Sequence, residues 1–370
     1  KVTGVQTCAL PIWSRVVSES ATAYMASAHV TVASDGFVWV EHIRDKTTSV
    51  QRFSPGKGTA SFASPISIVE GTFNQLGADI QPSVDGAVIV SCVRYTTFTG
   101  AKTLRAHRIN ADGTRPWAAV GVFVFSTGSL QFGNFPYFLP DGSGGAYFCW
   151  YTTGPLQSWI QRIDANGALL YGTNGVAVTA TSTDERVSPT MVIGADGRPM
   201  VAWSQHTPNT SIYGVGAQSF DPATGARQWG ANGVAVEPMS ATYSRAWATA
   251  GRAGNQLVCM YDDSPSATQD NYRAAGLDAT GAVAWRSDVA TNAGVKYRFA
   301  AANAADGGCV VGWQGGTTIG ASDVLIARIA PNGSLGPPPA GNPADLNGDG
   351  QAEIIAVGRA TGNVVIYRQR

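Results

Sequence analysis

Five oxygen-bearing side chains alternate near the C terminus: Asp345, Asn347, Asp349, Gln351 and Glu353, with Gly348 and Gly350 between them. Ca2+ is a hard cation that takes about six to eight oxygen ligands, so carboxylates, amide carbonyls and backbone oxygens in a tight glycine-containing loop suit it. The twelfth position counted from Asp345 is Ala356, where an EF-hand would carry a bidentate Glu. An apolar run, a Thr-Gly-Asn turn and a second apolar run follow, so the candidate ligands lead into a β-hairpin rather than a helix.

A second set of chemically capable residues is dispersed: Arg44, Tyr95, Tyr151, Asp184, Arg186, His206, Asp262 and Asp263. Two carboxylates on one surface could serve as general acid and base on a glycosidic bond. Asp184, Glu185, Asp262 and Asp263 are the acids to test for that role. Other chemistries lack their parts. The four histidines, His29, His42, His107 and His206, form no HExxH or HxH pair, and neither a GxSxG elbow nor a P-loop is present. Cys92, Cys149, Cys259 and Cys309 have no CxxC spacing and read as small core residues.

What must position these residues is a repeat. A turn glycine recurs at Gly36, Gly86, Gly142, Gly197, Gly254 and Gly307, at spacings of 50 to 57 residues. A second series, Gly113, Gly167, Gly225 and Gly281, is followed four residues later by Trp117, Tyr171, Trp229 and Trp285. Within each copy, short alternating runs such as MVAW and IQRI are separated by Asp-Gly and Asn-Gly turns and end in a GVAV-type strand. Those dipeptides tolerate positive φ and favour tight hairpins. Four antiparallel strands per copy at this period predict the blade of a β-propeller, in which neighbouring blades bury faces that one alone could not. The recurring aromatic is expected to wedge between blades.

The predicted fold is therefore all-β: a propeller of six four-stranded blades plus a short C-terminal β-hairpin. The last copy meets three prolines soon after Gly333, so it is expected to lack a fourth strand. The segment Arg15 to Ser18 would fill that place, closing the ring by strand exchange and removing exposed edges. A seventh repeat upstream is compatible with the same pattern. The loops between second and third strands, which carry most of the dispersed candidates, differ from copy to copy while the opposite turns stay nearly constant. That contrast fits a scaffold with specificity on one face.

Charge narrows the partners. The 370 residues carry 25 basic and 25 acidic side chains, and only 14% are charged. Zero net charge without a basic run lacks the electrostatic signature of a nucleic-acid binder, and no apolar stretch reaches the roughly 20 residues of a membrane-spanning helix. Recognition would rest on local hydrogen bonds and stacking.

Four resemblances add to this reading. VTGVQTCALPI, within residues 1–12, resembles the translation of a sequencing-adapter oligonucleotide and is set apart from the fold. QRIDANGALLYGTNGVAVTA and its relatives, across residues 13–336, resemble propeller-like repeats of large secreted and surface bacterial proteins, which implies export. FDPATGARQW and LDATGAVAW are similar to the blade-locking pattern of quinoprotein propellers. After a proline-rich linker at 337–343, residues 344–370 with DLNGDGQAE resemble the FG-GAP or VCBS calcium loop, as in integrin-like propellers; Glu353 stands where that family usually has Asp. The resemblance implies Ca2+ at Asp345, Asn347, Asp349, Gln351 and Glu353. Together these features point to a secreted or surface binding scaffold whose partner is an extracellular protein or glycan. The alternative is a polysaccharide-active enzyme, a glycoside hydrolase or lyase, using the carboxylates of the variable face.

Overall fold

The Asp-x-x-Gly turns form as their sequence dictates. Asp164 Oδ1 accepts the backbone N–H groups of Asn166 (2.9 Å) and Ala168 (2.8 Å), and Asp278 Oδ1 accepts those of Thr280 (2.8 Å) and Ala282 (3.1 Å). Each carboxylate thus replaces missing backbone acceptors in its turn. The computed structural model describes residues 25–336 apart from 132–135, 182, 243, 254, 267, 305–306 and 319–320, together with the backbone of 353–357 and 364–368.

Six four-stranded antiparallel sheets occur among the described residues, each with its strands in chain order. They are β1 Met25–Val32, β2 Val38–Arg44, β3 Thr47–Phe53 and β4 Ile66–Ile68; β5 Asn74–Pro82, β6 Val88–Tyr95, β7 Lys102–Ile109 and β8 Val122–Phe125; β9 Tyr137–Pro140, β10 Ala146–Tyr151, β11 Ser158–Ile163 and β12 Val176–Ala177. The next three are β13 Glu185–Ile193, β14 Pro199–His206, β15 Tyr213–Ser219 and β16 Val234–Ser240; β17 Ser244–Ala253, β18 Gln256–Ser264, β19 Tyr272–Leu277 and β20 Val283–Ala290; β21 Val295–Asn303, β22 Cys309–Thr318, β23 Ala321–Ile329 and β24 Leu335–Gly336. A two-stranded antiparallel sheet, β25 Glu353–Val357 with β26 Val364–Arg368, lies at the C-terminal end.

The chain divides into two compact units, Lys1–Phe148 with Arg162–Gly175, and Cys149–Gln161 with Val176–Arg370. In the first, Trp39, Val50, Ile80, Val90 and Ile109 form a buried core between the first two sheets, and β1 lies beside β5. In the second, Ala202, Trp229, Leu257 and Tyr261 fill the space between the β13–β16 and β17–β20 sheets, while Met260, Tyr272, Val311 and Trp313 fill the next. Cys92, Cys149, Cys259 and Cys309 are buried and unbridged, as core residues should be.

The expected aromatic wedge is present. Trp117 Nε1 donates to Ala165 O (3.0 Å), Trp229 Nε1 to Ala279 O (3.1 Å) and Trp285 Nε1 to Pro331 O (3.0 Å), in each case the turn of the following copy. The turn glycine there lies against the ring: a Cβ on Gly167, Gly281 or Gly333 would come within 3.0, 2.7 or 2.5 Å of it. Two series that recur in the sequence thus meet as one contact between successive sheets.

One expectation requires correction. The last sheet has its own fourth strand, since Leu335 and Gly336 pair with Ile329 and Arg328 before the prolines begin. A strand of two residues needs few donors, which is how the segment accommodates the prolines that follow. Arg15 to Ser18, the proposed exchanged strand, lies outside the described residues, as do residues 1–12 and the 337–343 linker.

Candidate functional site

The first strand of five sheets carries a β-bulge: the register shifts between Ala26 and Ala28, Gly77 and Asp79, Val187 and Thr190, Ala246 and Thr249, and Tyr297 and Ala300. A bulge bends the strand and re-aims the side chains beside it. Ahead of it, the strand is tethered to the loop of the preceding sheet: Gln75 N donates to Lys46 O (2.8 Å) and Arg186 N to Leu156 O (2.8 Å). Within each unit, the candidate residues lie where second strands stop and bulges start.

In the first unit, Arg44 ends β2 exposed, ahead of Asp45 and Lys46, whose φ values are +47° and +66°. Tyr95 ends β6, half-buried, opposite Asn74 and Lys102. The structure assembles here a group that no sequence motif announces. His29 Nδ1 lies 2.7 Å from Glu41 Oε2, and Glu41 is fully buried. The hydrogen bond to Glu41 raises the imidazole's proton affinity, whereas burial pushes up the carboxyls of Glu41 and Asp79. Buried Glu70 pairs with Arg94 (3.1 Å) and Arg105 (3.0 Å), whose guanidinium groups stack on Phe73 and Phe123.

In the second unit, Asp184 and Arg186 bond to each other, and Asp184 also bonds the residues on either side of His206. Asp184 accepts Thr207 Oγ1 (3.0 Å) and Gln205 Nε2 (3.1 Å), and its carbonyl accepts Arg186 Nη1 (2.8 Å). Arg186 is itself buried and also donates to Gln157 Oε1 (3.2 Å), so it braces the loop instead of facing solvent as the sequence reading expected. His206 lies between Glu185 Oε2 (3.0 Å) and Thr210 O (2.7 Å), stacked on Tyr213 with ring centroids 4.5 Å apart. The bond to Glu185 raises its proton affinity. Tyr151 bonds Ser188 at the bulge, and burial pushes its phenol up.

Asp262 and Asp263 are not loop residues. They lie within β18, 9% and 1% exposed, on opposite faces as strand alternation requires. Asp263 pairs with Arg273 Nη1 (3.3 Å), which in turn pairs with Asp288 (3.3 Å). Ser264 Oγ lies 2.9 Å from Asp262 Oδ2 and 2.7 Å from Asp270 Oδ1. Asp262 Oδ1 is enclosed without a hydrogen-bond partner among the described residues. Burial, with the Asp270 charge adding to it, pushes the Asp262 carboxyl up to about 7. Lys296 closes the group from β21. Its backbone N–H donates to Asp270 Oδ2 (2.8 Å), and its ammonium donates to the carbonyls of Asp270 (2.7 Å) and Asn292 (2.7 Å).

Asp270, Ser264 and Lys296 were not candidates from sequence. The signal was a comparison between copies: the position tethered to a backbone carbonyl at Gln75 and Arg186 is tethered to a carboxylate at Lys296. A carboxyl kept protonated near neutrality beside a second carboxylate is equipped for proton transfer.

The calcium candidates Asp345, Asn347, Asp349 and Gln351 lie outside the described residues, and Glu353 is placed only as the first residue of β25. Among the described residues, no group of three His, Cys, Asp or Glu is arranged to hold a metal ion, and no helix is long and apolar enough to cross a membrane.

No family model and no curated protein matches this chain. Among solved structures it is similar to an ulvan lyase of polysaccharide lyase family PL25 bound to -[GlcA(1-4)Rha3S]-, at 10% identity over 80% of this chain and 88% of that one, with a TM-score of 0.47. It is also similar to the GH93 α-L-arabinofuranosidase of Fusarium graminearum in complex with arabinobiose (11% identity, 83% and 93%, TM-score 0.43). A third is a protein of unknown function from Dyadobacter fermentans DSM 18053 (11% identity, 85% and 96%, TM-score 0.42).

Proposed function

We propose that this chain is a carbohydrate-active enzyme, exported and built as a six-bladed β-propeller, in which Asp262 supplies the proton that releases a sugar leaving group. The observation that carries this reading is the Asp262 environment: a nearly buried carboxyl with one oxygen that has no hydrogen-bond partner among the described residues, beside Asp270, opposite the residue before the bulge, where β14 carries Ser204. Proton transfer from Asp262 to the glycosidic oxygen lets the C–O bond break. Water then adds its hydroxyl at the anomeric carbon and returns its other proton to the carboxylate. The partner is a glycan, met through local contacts because the chain has no net charge.

The purified full chain should release reducing ends from members of a panel of neutral and uronic polysaccharides. Asp262→Asn should lower kcat/KM about 100-fold or more with an unchanged melting temperature. Cleavage that survives Asp262→Asn at full rate would refute the role of Asp262. A purely binding propeller is favoured by one observation, the His206 and Tyr213 stack held by Glu185, which offers an aromatic platform without an acid. Glycan retention with no cleavage of any panel member would select that reading. Ca2+ at Asp345, Asn347, Asp349, Gln351 and Glu353 belongs to the same proposal, resting on their spacing.

A further inference from the structure

We infer that Ser264 is a positioning residue that lodges one shared proton between the carboxyl groups of Asp262 and Asp270, with that proton resting on Asp262. This deepens the proposed role of Asp262 and rests on hydrogen counting. A hydroxyl has one hydrogen to donate, yet Ser264 Oγ lies 2.9 Å from Asp262 Oδ2 and 2.7 Å from Asp270 Oδ1. If both carboxyls were ionised, one of them would face an oxygen lone pair at hydrogen-bond distance. One added proton removes the conflict: Asp262 Oδ2–H donates to Ser264, and Ser264 donates to Asp270.

The surroundings decide which carboxyl keeps the proton. Asp270 accepts Lys296 N–H at 2.8 Å on its other oxygen, and the Lys296 ammonium sits on the Asp270 carbonyl at 2.7 Å, so negative charge is favoured there. Asp262 is nearly buried, and its Oδ1 has no donor among the described residues. An orphaned oxygen costs much less on a neutral carboxyl than on a carboxylate. The charged groups bearing on Asp262 are Asp263 on its own strand, Asp270 on the connecting loop and Lys296 on β21; Asp263 is itself paired with Arg273. The tether at the two corresponding bulged strands ends on a backbone carbonyl, whereas here it ends on the Asp270 carboxylate.

The test is a carboxyl-carbon NMR titration of the full chain carrying 13C-labelled aspartate, with Asp262→Asn and Asp270→Asn used for assignment. It needs no substrate, so its failure and the failure of carbohydrate cleavage are separate results. The Asp262 resonance should move through a midpoint near 7. Asp270→Asn should drop the Asp262 midpoint by about one pH unit or more, towards the ordinary carboxylate value of about 4. Ser264→Ala should move the Asp262 midpoint away from that value, and Ser264→Thr, which keeps the hydroxyl, should restore it. A merely structural serine would leave the Asp262 midpoint unaltered. The inference is overturned if Asp262 in the unsubstituted chain titrates near 4, or if its midpoint ignores Asp270→Asn. The unsubstituted titration decides the first point even where a variant fails to fold.

Discussion

The wedge between successive sheets can be tested at Gly281. Its φ is +87°, and a Cβ there would lie 2.7 Å from Trp229 Cγ and 2.8 Å from Cδ2. Gly281→Ala therefore carries two costs. Left-handed backbone disfavours an L-residue by about 1–2 kcal/mol. The overlap must push Trp229 from a site where it is 5% exposed and bonded to Ala279 O, adding about 1–3 kcal/mol of overpacking strain. Gly197 separates the two terms, because its φ is +80° but a Cβ there meets nothing within 4 Å. Gly197→Ala should pay only the backbone cost, about 1–2 kcal/mol. Urea unfolding followed by circular dichroism measures each variant, and a cycle with Trp229→Ala isolates the contact. With the indole gone, Gly281→Ala should fall to the Gly197→Ala level, giving a coupling of about 1–3 kcal/mol. Equal costs for Gly281→Ala with and without Trp229, or a loss no larger than that of Gly197→Ala, would refute the wedge.

Two further perturbations address the ends of the chain. His29 binds its proton more tightly when folded, so its contribution to stability is fully present below about pH 6.5 and is lost as pH rises through the higher folded value. Melting temperatures measured from about pH 5 to 9 should fall across that upper range, and His29→Gln should flatten the fall; parallel curves would count against the His29 and Glu41 bond. For the C-terminal loop, mass-spectrometric metal content should give about one Ca2+ per chain, lost in Asp349→Ala, and a chelator should lower the melting temperature. A metal-free chain with no chelator response sinks the calcium proposal.

Much of the architecture was legible because repetition amplifies weak local signals. One Asp-x-x-Gly turn says little, but the series Gly113, Gly167, Gly225 and Gly281 with its trailing aromatics specified both the strand pattern and the contact between sheets. The two-residue strand Leu335–Gly336 was missed because the prolines after it dominated the local pattern. The candidate site was legible only in part. Loop variability located Asp184, His206 and Asp262, yet it could not distinguish side chains that brace from side chains that are presented. Arg186 looked like a surface cation, but its place ahead of a bulge turns it inward to Gln157 and the Asp184 carbonyl. His29, Glu41 and Asp79 went unnoticed because they lie in different strands, and only folding brings them together.

That distinction also explains where function can arise on such a scaffold. Every copy must hold its first strand to the preceding sheet, and a backbone N–H donating to a backbone carbonyl does so whatever the side chains are. Gln75 to Lys46 and Arg186 to Leu156 use that solution. At Lys296 the backbone N–H donates to the Asp270 carboxylate, beside a backbone bond from Asp270 N to Gly294 O (3.1 Å). A purely structural repeat gains nothing from making its packing sensitive to a proton, since a backbone carbonyl does not titrate. The Asp270 carboxylate at this tether lies one serine hydroxyl away from the buried Asp262 carboxyl, beside the contact between two sheets. A departure from the common solution within a single chain therefore marks the β18 and β21 junction as the place to look for chemistry.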